Sequence, residues 1–219
     1  DTNVSGGYDF GSGDDDATED APVHGTHVAG IVSAKTNNSV GVASIGFSTK
    51  VMPIKVTSGT SGSFSFPFEA FEYAADNGAD IINCSWRGMA YSRAEQETMN
   101  YCLSKGVLVI AAAGNDRSEV SAYPASYKGV FSVAATAQGD TRYSATNYSV
   151  DVDVCAPGTE ILSTWWNLNN GQPVPSYRYM GGTSMATPFV AGLAALVKDV
   201  FPSYTALQIA EQIRATADN

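Results

Sequence analysis

Three short blocks carry the residues of this chain whose types and placing could do chemistry. The only two histidines lie together in His24-Gly25-Thr26-His27-Val28-Ala29-Gly30. A zinc site of the helical kind needs two histidines four apart with a Glu between them and a third ligand elsewhere. Here the spacing is three, no Glu intervenes and no further His exists, so zinc chemistry is not indicated. The second block is Gly181-Gly182-Thr183-Ser184-Met185-Ala186-Thr187-Pro188. A serine that follows a flexible turn and opens an Ala-rich helix is well placed for nucleophilic attack. The free N–H groups and partial positive charge of a helix N-terminus favour a developing oxyanion. The third block, Ala111-Ala112-Ala113-Gly114-Asn115, sets a side-chain amide just beyond an apolar run. In open α/β sheets, ligands bind at that end of the strands. Taken singly, each block has an ordinary explanation as a helix cap or a turn. Together they point to acyl-transfer chemistry.

These residues need a scaffold, and the pattern of apolar runs supplies one. Lys50–Val56, Asp80–Cys84, Val107–Ala113 and Val130–Ala135 read as strands, most of them apolar on both faces. Between them, Phe66–Asn77 reads as an amphipathic helix opened by Pro67 and closed by Gly78, and Ser92–Lys105 as a helix ending at Gly106. Such alternation predicts a parallel sheet covered by helices on both sides. Ser184–Val200 and Tyr204–Ala217, separated at Pro202, complete a helical last quarter. The expected fold class is therefore α/β, with all 219 residues in one domain.

Composition narrows the function. With 44% apolar residues the chain can bury a substantial core. The formal charge of −10 leaves no basic excess with which to grip nucleic acid. No apolar run approaches the ~18 residues of a membrane span. Seven of the acidic residues fall within residues 1–20, where Lys and Arg are absent. The three cysteines, Cys84, Cys102 and Cys155, are too few for a disulfide framework and make no metal-type pair.

The blocks HGTHVAG, AAAGN and GTSMATP resemble the His, oxyanion-Asn and Ser blocks of the subtilisin-like serine proteases, the subtilases. The resemblance continues nearly colinearly through Asn37–Ala43, Ile81–Trp86, Tyr123-Pro124 and Ala156–Gly158, so it covers practically the whole chain. It implies a subtilisin-like fold and an extracellular, secreted endopeptidase. Ser184 would be the nucleophile, His24 its general base, and Asn115 with the Ser184 N–H the oxyanion hole. The order His before Ser sets the chain apart from α/β-hydrolases, where His comes last. The implied partners are protein or peptide substrates and the chain's own N-terminal segment or propeptide, with no nucleic acid and no membrane.

The resemblance also implies an acid that the blocks do not contain. Asp1-Thr2-Asn3 is a poor match to the family's Asp-Thr-Gly block, whereas Asp1…Val4-Ser5-Gly6-Gly7 fits the segment about nine residues after the catalytic Asp. This register puts the catalytic Asp upstream and the chain as truncated at both ends, with Asp1 itself as the alternative acid. Substrate would add as a strand between Ser61-Gly62-Ser63 and Ser85-Trp86-Arg87-Gly88. The first pocket would lie between the latter segment and Ala112-Ala113-Gly114, with Phe64 at a more distant apolar subsite. Arg87 stands where the family commonly has a small Gly, and Asp116 sits at the rim. A structural calcium ion is implied at Asn37–Val42, held by the Asn38 side chain, the Val40 and Val42 carbonyls and the Asp1 carboxylate. Asp14-Asp15-Asp16 reads as a solvated acidic loop. The rival to an active protease is a non-catalytic or nicked subtilase-like module that binds peptides. An esterase using the same machinery is a third reading.

Overall fold

A run such as Val107–Ala113 has no polar face, so it is stable only where both of its faces are covered. The computed structural model, which describes residues 4–19, 23–57, 67–88 and 90–218, puts that run at the centre of the molecule. In chain order the elements are β1 (Tyr8–Asp9), α1 (His24–Ser33), β2 (Ile54–Lys55), α2 (Pro67–Asp76), β3 (Ile81–Cys84), α3 (Arg93–Ser104) and β4 (Leu108–Ala112). There follow β5 (Phe131–Ala137), β6 (Thr141–Arg142), β7 (Val154–Pro157), β8 (Ile161–Asn169), β9 (Gln172–Met180), α4 (Thr183–Val200) and α5 (Ala206–Thr216). β3, β4, β5 and β7 pair in parallel, and β6 closes antiparallel on the end of β5.

The helices divide between the two faces as the period-2 rule dictates. Leu108 and Ile110 of β4, with Phe131 and Val133 of β5, pack under Val190 and Ala194 of α4 and Ile209 and Ile213 of α5. Val107, Val109 and Ala111 point the other way, against Phe71 of α2 and Met99 and Cys102 of α3. Each fully buried Leu, Ile or Phe contributes about 1.5–3 kcal/mol through removal from water. The expected layers and the parallel sheet are both present.

The ends of the helices follow local chemistry. Ser92 caps α3 by accepting from the Glu95 N–H, and Thr205 with Gln208 forms a reciprocal capping box on α5. The expected strand Lys50–Val56 is shorter in the structure: Ile54–Lys55 pairs with β1 rather than with the main sheet, and before it Val51 makes a single bridge to Val4. This small pair is pinned by a buried ion pair, Lys55 Nζ to Asp9 Oδ2 at 2.9 Å. Burial opposes the Asp9 charge, but Lys55 and the N–H groups of Gly11 and Ser12 outweigh it and hold the carboxyl below its ordinary range. Cys84, Cys102 and Cys155 are all free thiols.

The longest feature without a counterpart in the sequence reading is a hairpin. β8 and β9, nine residues each, form an antiparallel hairpin running from Ile161↔Met180 to Asn169↔Gln172. Its turn is Asn170-Gly171, with φ of 50° and 77°. Asn-Gly is the dipeptide that a two-residue I′ turn favours.

Candidate active site

The first turn of α4 carries the Gly-Thr-Ser-Met block, and Ser184 is its second residue. At that position the backbone N–H has no acceptor within the helix and is available to a ligand. Two bonds tie Ser184 to the C-terminal end of β3: its Oγ donates to the Ser85 carbonyl at 2.9 Å, and Ser85 Oγ donates to the Ser184 carbonyl at 2.8 Å.

Asn115 stands just past the end of β4, on Gly114, whose φ is +104°. Its Oδ1 accepts from the Thr183 N–H at 2.9 Å and from Thr183 Oγ1 at 3.1 Å. With the oxygen fixed, the amide Nδ2 is left beside Gly182, 3.2 Å from where a Cβ on that glycine would stand. The free Ser184 N–H at the head of α4 and a fixed side-chain amide are the parts of an oxyanion site. Thr183, fully buried, also accepts from the Gly114 N–H at 3.3 Å, so one hydroxyl joins both sides.

A second amide braces the same loop. Asn147, buried, donates from Nδ2 to the Ala113 carbonyl at 2.8 Å and accepts at Oδ1 from Asp116 N–H (2.8 Å) and Ser118 N–H (3.2 Å). Its own N–H donates to the Gly114 carbonyl at 2.9 Å. Thr183 sits inside a recognised block and could have been suspected. Asn147 has no sequence signal, because its role exists only through contacts about thirty residues away in the chain.

His24 opens α1. Val28 and Ile31, one and two turns further along, pack against Met185, the neighbour of Ser184. That contact brings the first turns of α1 and α4 together. Burial lowers the His24 pKa from its ordinary 6.5, and the Glu19 charge opposes the shift. Glu19 is a charged neighbour of His24 that the sequence reading counted only as part of an acidic stretch. Its carboxylate caps α1, accepting from the N–H groups of Gly25 (2.5 Å) and Thr26 (2.7 Å) and from Thr26 Oγ1 (2.6 Å). His27 is a clasp: its Nε2 lies 3.1 Å from the Ile161 carbonyl and 2.9 Å from that of Arg178. It is wholly buried, and burial lowers its pKa too, so the ring is neutral and Nε2 holds the proton.

Of the expected cleft residues, Ser61, Gly62, Ser63 and Phe64 lie outside the described residues, as does Asp1. Ser85, Arg87 and Gly88 follow β3; Ala112, Ala113 and Gly114 face them from the end of β4, buried. Trp86 turns towards Phe71, with ring centroids 6.0 Å apart, and so belongs with the core around α2. The expected calcium loop has an unusual backbone, with Asn37, Ser39 and Gly41 all near φ +60°. Asn38 Oδ1 accepts from the Val40 N–H at 3.0 Å, and an amide oxygen has two acceptor sites. Among the described residues no group of three His, Cys, Asp or Glu could hold a metal. The loop's neutral oxygens are of the type calcium takes, and the carboxylate expected to join them, Asp1, lies outside the described residues.

A family model described as the subtilase family matches residues 2–219. The chain belongs to this family. Among related subtilases, it is 41% identical over 219 residues to a thermophilic serine proteinase of Bacillus sp. (strain AK1), covering 100% of this chain and 52% of that protein. It is 39% identical over 218 residues to subtilisin Savinase of Lederbergia lenta, covering 99% of this chain and 78% of that one. A solved protease structure from Pseudoalteromonas arctica PAMC 21717 matches with a TM-score of 0.89 at 31% identity, over 99% of this chain and 78% of its own. The subtilisin-like α/β fold is thereby shown. The chain spans about half the length of the strain AK1 proteinase (52%) and of M-protease from Shouchella clausii (55%).

Proposed function

We propose that the protein is a serine endopeptidase that cleaves peptide bonds through an acyl-enzyme on Ser184. The observation that carries this reading is the lock between Asn115 and Thr183, which aims a side-chain amide at the head of the helix bearing Ser184. A hydroxyl is a weak nucleophile until a base takes its proton, and His24, kept neutral by burial, is the base at hand. Ser184 Oγ leaves the Ser85 carbonyl, passes its proton to His24 and attacks the substrate carbonyl carbon. The oxyanion is held by Asn115 Nδ2 and the Ser184 N–H. His24 then returns the proton to the leaving amine, and water, activated by the same ring, releases the acyl group.

The carboxylate that orients His24 is assigned to a segment upstream of Asp1. Two features of β3 support this. It ends the main sheet with Ile81, Ile82 and Asn83 only half-buried, and the buried Asn83 Oδ1 has no partner among the described residues. Calcium is assigned to Asp1, Asn38, Val40 and Val42, where it would brace the loop after α1 and supply no step of the reaction. Secretion is assigned from the subtilase resemblance, and no helix among the described residues is long and apolar enough to cross a membrane.

The test is labelling with a serine-directed fluorophosphonate, alongside hydrolysis of a denatured protein. Ser184 should be the labelled residue, and Ser184→Ala should abolish both signals. Labelling that survives the substitution sinks the assignment. Peptide binding without labelling or turnover would favour the non-catalytic module instead.

A further inference from the structure

We infer that Arg87 fills the slot on the acyl side of Ser184 and so restricts the enzyme to substrates with small side chains at that position. This deepens the proteolytic reading and rests on it.

The slot is defined by its two walls. Ser85–Gly88 forms one and Ala112–Asn115 the other. Both are tied to the head of α4, through the Ser85–Ser184 bonds and the Asn115–Thr183 bonds. The far end is closed where Gly88 exchanges two backbone bonds with Tyr123, at 2.6 and 3.1 Å. In the proteolytic reading, a side chain on the acyl side of the scissile bond enters between these walls. The room for it is the part of the space beside Gly114 that Asn147 leaves, the Asn147 Nδ2 lying 2.5 Å from where a Cβ on that glycine would stand.

Arg87 takes that room. Its Cδ and Nε lie 2.9 and 3.1 Å from where a Cβ on Gly114 would stand. Beyond the glycine its guanidinium pairs with Asp116, Nη2 to Oδ1 at 2.5 Å. The side chain is thus held at both ends, by its stem against Gly114 and by its head on Asp116.

The choice among substrate classes follows from this arrangement. A large apolar side chain must push the stem off Gly114 and break the ion pair of an arginine whose side chain is only about a quarter exposed (27%). An acidic side chain meets a guanidinium already supplied with a carboxylate, and Asp116 repels it. A Gly, Ala or Ser side chain needs neither movement.

The experiment compares kcat/KM on tetrapeptide p-nitroanilides that differ only in the residue bearing the anilide (Ala, Leu, Phe or Glu), using the full-length natural protein and its Arg87→Gly and Arg87→Ala variants. Fluorophosphonate labelling of Ser184 reports whether the nucleophile is assembled in each. The natural protein should favour Ala over Phe by about tenfold or more, and both variants should shift that ratio towards Phe by about tenfold, the scale on which a few methylenes are discriminated. Labelled proteins that favour Phe or Glu without substitution, or whose ratio is unmoved in both variants, overturn the inference alone. Absence of labelling and of hydrolysis in the natural protein overturns the proteolytic reading and this inference with it.

Discussion

Thr183 holds the oxygen of Asn115 twice, once through its backbone and once through its hydroxyl, and only the second bond can be removed by substitution. Thr183→Val keeps the shape and the backbone bond but lets the Asn115 amide rotate. We expect kcat to fall about tenfold with KM little changed, a part of the roughly 10²–10³-fold that an oxyanion amide contributes in subtilisin. Thr183→Ser should recover most of the loss. A matched rise in KM would show that the hydroxyl serves substrate binding instead. Ser184, His24 and Asn115 were legible as residues because they sit in blocks whose local chemistry is distinctive. Asn147 was not, since nothing in Ser144-Ala145-Thr146-Asn147-Tyr148 announces that its amide bonds reach back to the loop 113–118. A brace made of distant partners leaves no trace in a local pattern.

Helix and strand order were mostly legible for the opposite reason: periodicity is local. β4 reads as buried on both faces because it is apolar throughout, and α3 and α5 begin at their caps. α1 was not read as a helix, since its Gly25, Thr26 and Gly30 dilute the apolar stripe. The structure explains Gly30: a Cβ there would overlap Thr164 Oγ1 and Ser163 Oγ of β8. Gly30→Ala should therefore push α1 away from the hairpin, costing about 1–3 kcal/mol by overpacking. Thermal unfolding should show a Tm lower by several degrees, since about 1 kcal/mol moves a domain of this size by ~2–4 °C. Thr164→Ala in the same chain should recover part of it. An unchanged Tm would mean that the helix and hairpin are not in fixed contact.

Across the whole molecule, the two histidines make stability depend on pH in one direction. Burial lowers both pKa values from 6.5, so near that pH the unfolded chain binds more protons than the folded one. Their contribution is complete above pH 6.5 and is lost as pH falls through the folded values. Tm measured from pH 8 to pH 5 should fall, and less steeply in His27→Gln. A flat profile would contradict the buried, neutral rings. Calcium acts at the same scale. If Asn38, Val40 and Val42 hold it in the folded state alone, a hundredfold excess over Kd adds about 2.7 kcal/mol, and a chelator should lower Tm accordingly. Identical melting with and without chelator would remove the ion from the account. The hairpin adds a mechanical consequence. At its base, His27 grips the Ile161 and Arg178 carbonyls, Ser163 Oγ donates to the His27 carbonyl and Thr164 Oγ1 to that of Thr26. Towards the tip, Leu168 and Val174 lie open to water. β9 leads through Met180-Gly181-Gly182 directly to Ser184, so a lever stitched down at its fulcrum can sway at its free end without shaking the nucleophile.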